Sequence, residues 1–174
     1  MKLNKINFTN YQYPGLSEEI LDALQDNINE AINTIPLIKA RINRQDINTS
    51  GTYGTVTVPL NAVEINNDNI DNYLVKENNE IVIGDDDDVS LVEAVLFTRG
   101  LGFYGGSGDK ELMIMKNGQK IDGYYQRATD GWWGISIPTV IQVSKGDRLS
   151  AVLQSQSVGT TEILEGYLQV KVLK

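Results

Sequence analysis

The densest charge in the chain is Asp85-Asp86-Asp87-Asp88, set between Gly84 and Val89. Carboxylate oxygens are calcium ligands, but a calcium loop spaces them with other residues so that they converge. Four consecutive Asp side chains cannot all face one ion. The run therefore reads as a solvated turn, with a weak calcium site as the alternative, and no other cofactor is expected. A second group is Tyr124, Tyr125, Trp132 and Trp133. Aromatic faces of this kind either stack on sugars or bury large areas against protein. Strand neighbours point to opposite faces, so only one of Trp132 and Trp133 can enter a core. The other must meet a partner subunit, a loop or a ligand such as a cell-surface glycan. Asp109, Glu111, Asp122 and Asp130 could serve as paired glycosidase carboxylates, but that chemistry needs two carboxyls at a set separation across a sugar cleft. No pattern in the sequence announces such a cleft. The Gly-rich Phe103–Gly108 lacks the lysine of a phosphate-binding loop.

What is missing narrows the chemistry further. The 174 residues include no histidine and no cysteine. Ser-His-Asp triads, imidazole metal sites, thiolate zinc sites and disulfides are all excluded. No enzymatic activity is expected. The net charge of −8 disfavours nucleic acid and anionic membranes as partners. No apolar run approaches the length of a membrane helix, and the first fifteen residues lack the apolar stretch of a signal peptide.

Three segments must position these groups. Residues 1–15 are polar with Phe8, Tyr11 and Tyr13, followed by Pro14-Gly15, and read as an anchoring peptide that docks on another protein, with a loosely held tail as the alternative. Residues 16–49 read as a coiled-coil helix and a connector. Ser17 is a candidate N-cap, and Leu21, Leu24, Ile28, Ala31 and Ile35 follow at spacings of three and four until Pro36. An amphipathic helix packed on its own domain is the alternative to a seam between subunits. From residue 50 to 174 short apolar runs recur between Gly, Asn and Asp clusters, which predicts an antiparallel sandwich or barrel. Asn117-Gly118 predicts a type I′ hairpin, and Lys145-Gly146-Asp147 a second turn.

In order, "NNEIVIGDDDDVSLVEAVLFTRG", "ELMIMKNGQKI", "VSKGDRLSAVLQ" and "LEGYLQVKVL" resemble the tumour-necrosis-factor-like jelly roll, in particular its complement-1q-like branch. The resemblance covers about residues 50 to 174. "GYYQRATDGWWG" matches no pattern of that family. The resemblance implies a homotrimer whose apolar and aromatic strand faces meet on a three-fold axis, and a trimer would hold three short helices close enough to coil. Heads of this kind occur on bacteriophage appendages. The expectation is therefore a virion protein, made in the host cytoplasm and assembled as a head, tail or baseplate fibre for host attachment. A bacterial surface or spore-coat head and, less favoured, a carbohydrate-active enzyme are the alternatives.

Overall fold

Alternation of apolar and polar residues gives twelve strands in the computed structural model, which describes residues 22–28, 35–49, 54–65, 70–85, 89–102, 109–127, 132–155 and 159–173. They are β1 (Leu37–Ile42), β2 (Gln45–Thr49), β3 (Gly54–Thr57), β4 (Val63–Ile65), β5 (Leu74–Glu77), β6 (Glu80–Ile83), β7 (Leu91–Gly102), β8 (Asp109–Lys116), β9 (Gln119–Arg127), β10 (Trp132–Gln142), β11 (Arg148–Ser155) and β12 (Gly159–Val172). A single helical turn, Ile70–Asn72, precedes β5.

Two antiparallel six-stranded sheets result. Sheet A runs β10-β7-β12-β1-β4, with β2 also on β12; sheet B runs β5-β6-β11-β8-β9, with β3 also on β11. Their inner faces supply the core, including Ile38, Leu96, Ile135, Leu168 and Val170 from sheet A and Ile81, Leu112, Ile114, Leu149 and Leu153 from sheet B. Burial along β10 alternates almost without a break, so Trp133 is 3% exposed while Trp132 is 72% exposed. Trp133 fits because it lies opposite Gly100, where a Cβ would come within 2.6 Å of the indole and 2.0 Å of the Glu162 carbonyl oxygen.

The connector expectation for residues 37–49 is corrected. Ile38, Ala40 and Ile42 enter the core and alternate with Lys39 and Arg41, so this stretch is strand in sheet A and the head begins at Leu37 rather than at residue 50. The helix is also shorter than predicted at its end. Helix is described over 22–28, and Ile35 sits in a bend, because Pro36 disfavours helical geometry in the residue before it. The Pro36 carbonyl already accepts the Val172 N–H of the sheet.

The two predicted turns meet at one corner. Asn117 (φ 51°) and Gly118 (φ 78°) close the β8–β9 hairpin as a type I′ geometry requires. The second turn, with Gly146 at φ 81°, carries the chain from sheet A to sheet B and so is a crossover between layers. Asp147 joins them: its carboxylate accepts from Asn117 Nδ2 (2.7 Å) and the Ser144 N–H (2.9 Å), with Lys116 Nζ at 3.2 Å. Asn117 Oδ1 in turn accepts the Arg148 N–H at 2.9 Å. Partial burial raises the Asp147 pKa, but these donors outweigh it and hold the carboxyl below its usual range.

Register fixes a polarity. Leu37, Leu91, Gln142 and Lys171 gather at the end where the chain enters from the N-terminal segment. The hairpin tip lies there too, since Lys116 Nζ donates to the Gln142 carbonyl. Leu101, Trp132 and Thr161 occupy the opposite end.

Candidate functional site

The outer face of sheet A carries more apolar and aromatic surface than a solvated face requires. Its central row runs Ser136 (β10), Phe97 (β7), Tyr167 (β12) and Arg41 (β1). The Phe97 and Tyr167 rings pack with centroids 5.5 Å apart, and Lys39 Nζ lies 4.5 Å from the Tyr167 centroid. These rings floor a cleft of about 350 Å³ whose walls include Arg41, Asn43, Arg44 and Leu164. Gly166 also lines it with its backbone, while its missing Cβ faces the core, where it would come within 2.4 Å of the Phe97 carbonyl oxygen and 3.2 Å of Ile42 Cδ1.

Charge is graded across this face. The β10 edge presents Trp132, Gly134, Ser136, Pro138, Val140 and Gln142, none of them ionisable. The strands beyond it hold paired ions: Arg41 with Glu64, Lys39 with Glu64 (3.9 Å) and Arg44 with Glu162 (2.5 Å) on the far side, and Arg99 with Glu165 (2.7 Å) on β7 and β12. The Arg41 hydrogen bond, outweighing some loss of solvent, holds the Glu64 carboxyl below its ordinary range, with the charges of Arg41 and Lys39 adding to it. Trp132 belongs to a lateral row with Leu101, Glu162 and Asp46, in which the Glu162 side chain is 5% exposed.

The predicted residues fall as follows. Tyr124 and Tyr125 are half exposed on β9, the edge of sheet B that packs beside β10. Tyr124 lies opposite Leu112 on the core side, at the rim, and Tyr125 opposite Glu111 on the outer side. The four aromatics therefore do not form one platform: Trp133 is core, and the other three wrap round the β9/β10 edge. Leu24, Ile28 and Ile35 are all at least one-third exposed. Leu21, Ala31, Phe8, Tyr11 and Tyr13 lie outside the described residues. So do Asp86, Asp87 and Asp88; Asp85 is exposed, with Lys145 Nζ 3.2 Å from its carboxylate. Among the described residues no cluster of carboxylates could hold a metal ion. Glu111 and Asp122 occupy opposite faces of sheet B, and the Glu111 carboxylate accepts from Lys120, so they do not flank a common cleft.

Sequence reasoning missed Phe97 and Tyr167, although both alternate out of phase with core neighbours in runs already read as strands. It also missed Lys110, 1% exposed on the core face between Gln126 and Ser155, whose ammonium burial holds below the ordinary lysine range. Among the described residues no helix is long and apolar enough to cross a membrane.

No family model matches the chain. No curated protein matches it either. Solved structures do. The crystal structures of murine APRIL at pH 5.0 and at pH 8.5 each align over 80% of this chain and 100% of their own, with a TM-score of 0.53 and 11% identity. Rabbit GITRL aligns over 80% of this chain and 94% of its own, with a TM-score of 0.46 and 12% identity. The APRIL likeness, at that identity, is one of fold. The chain adopts a tumour-necrosis-factor-like jelly roll, an antiparallel sandwich of two sheets.

Proposed function

We propose that this protein is a homotrimeric bacteriophage appendage, a head, tail or baseplate fibre that presents its jelly-roll head to the host surface. It has no catalytic step. The observation that supports the trimer is the outer face of sheet A, where an aromatic cleft lies beside an uncharged edge ending in Trp132, while the appendage role rests on the resemblance of the sequence to such heads. A three-fold ring needs two different, mutually complementary patches on each copy, because its contacts are heterologous. The cleft over Phe97 and Tyr167 is one such patch. The projecting β9/β10 edge, with Trp132, Tyr124 and Val140 exposed, is the other. The tumour-necrosis-factor-like neighbours are homotrimers, which is consistent with self-association.

The N-terminal segment then serves as stalk and anchor. It enters the head at one end, leaving the end with Leu101 and Trp132 pointing away from the particle. Leu24 and Ile28 stand exposed on the helix, as seam residues of a single copy should. Residues 1–15, with Phe8, Tyr11 and Tyr13, dock the trimer, and three equivalent heads raise weak binding through avidity.

Sedimentation equilibrium tests the assembly. The expected mass is three times the 19.3 kDa of one chain, and Phe97→Asp with Val140→Asp should yield folded 19.3 kDa monomers. A wild-type monomer at micromolar concentration sinks the trimer. Deletion of residues 1–15 should leave a soluble trimer that no longer enters particles. Loss of folding on that deletion contradicts the anchor.

A further inference from the structure

With sheet A turned towards partner copies, sheet B becomes the exterior of the head, and its outer face is organised. One lateral row crosses four strands: Tyr125 (β9), Glu111 (β8), Gln154 (β11) and Thr55 (β3). The next row is Gly123, Met113, Val152 and Thr57. The first row offers an aromatic ring, a carboxylate, an amide and a hydroxyl. The second is closed to solvent, since Met113 and Val152 are only 6% and 7% exposed. Side chains fill the space over Gly123: a Cβ there would meet Lys120 Cε at 2.8 Å, Glu111 Oε1 at 3.1 Å and Met113 Cγ at 3.1 Å. The same contacts place Glu111, Met113 and Lys120 on one face.

We propose that this face binds a neutral oligosaccharide, a reading that rests on the attachment role proposed above and names its ligand. Tyr125, half exposed, stacks on a sugar ring through its C–H face. Glu111, already held by Lys120, accepts sugar hydroxyls, while Lys120 and the Gln154 amide donate to them. Three strand spacings from Tyr125 to Thr55 span roughly 14 Å, room for a short chain of rings across the strands. Charge selects the class. Glu111 and Lys120 neutralise each other, and Gln154, Thr55 and Thr57 carry none. The protein as a whole carries −8 and repels acidic glycans.

The full-length protein is titrated, by NMR or calorimetry, with maltotriose, cellotriose, triacetylchitotriose and a galactose-terminated trisaccharide, with sialyllactose as the charged comparison. At least one neutral trisaccharide should bind with a Kd of about 1 mM or tighter. Tyr125→Ala should weaken it at least about tenfold, and Gln154→Ala several-fold. Tyr125→Phe should retain binding. Absence of binding by every neutral probe at about 20 mM, a preference for sialyllactose, or full binding by both Tyr125→Ala and Gln154→Ala overturns the proposal. Sedimentation of the same samples separates the two readings: a trimer that binds no sugar defeats only the glycan site, whereas a sugar-binding monomer defeats only the assembly.

Discussion

Asp147→Ala tests whether the corner between the two turns holds the sheets together. The substitution removes a carboxylate that accepts from Asn117 Nδ2 at 2.7 Å and the Ser144 N–H at 2.9 Å and pairs with Lys116 at 3.2 Å. Hydrogen bonds to a charged group contribute about 1.5–3 kcal/mol each. The Ser144 N–H and the Lys116 ammonium can recover water, since the Asp147 side chain is 14% exposed and its surroundings are partly wet. The expected loss is therefore about 2–3 kcal/mol, below the simple sum of the bonds. For a chain of this size that lowers Tm by about 4–12 °C. The sign with pH is fixed by the direction of the shift. The folded carboxyl lies below its ordinary range, so its contribution is present above the unfolded pKa of about 3.9 and is lost as pH falls through the lower folded value. Calorimetry at one protein concentration, at pH 7 and near pH 3, should show the gap between wild type and variant narrowing in acid. Asn117→Ala should couple to Asp147→Ala in a double-mutant cycle by more than about 0.5 kcal/mol. A Tm change under about 1 °C, or a gap that widens on acidification, refutes the corner as a clamp.

Two further substitutions probe the core. Lys110→Met should stabilise the protein by about 1–3 kcal/mol at neutral pH, because it removes an ammonium from a site where burial disfavours charge. The folded amine titrates below the unfolded one, so the gain should shrink as pH rises through that window and vanish above about pH 10; a pH-independent or destabilising effect in chemical denaturation contradicts it. Gly100→Ala should cost about 1–3 kcal/mol and shift Trp133 fluorescence, since its Cβ meets backbone at 2.0 Å; unchanged stability and emission would show that β12 yields without cost.

Strand alternation is a local property of the pleat, and it was legible wherever one face is buried. β10 reads from its sequence as Trp133, Ile135, Ile137 and Ile141 inward and Trp132, Ser136 and Val140 outward. Asn117-Gly118 announces its hairpin because few residue pairs tolerate positive φ. β1 escaped notice although it too alternates, because Ala40 is a poor strand former and the helical spacing before it runs up to Pro36. The sequence by itself therefore determined the class of fold, most strand positions, the main turn and the exclusion of histidine and cysteine chemistry. Only the tertiary structure decided which strands lie side by side. It brought Phe97 onto Tyr167 across 70 residues, set Tyr125 in one row with Glu111, Gln154 and Thr55, and sealed Lys110 inside. Lateral neighbours in a jelly roll come from distant parts of the chain, and no period along the sequence records which of them meet.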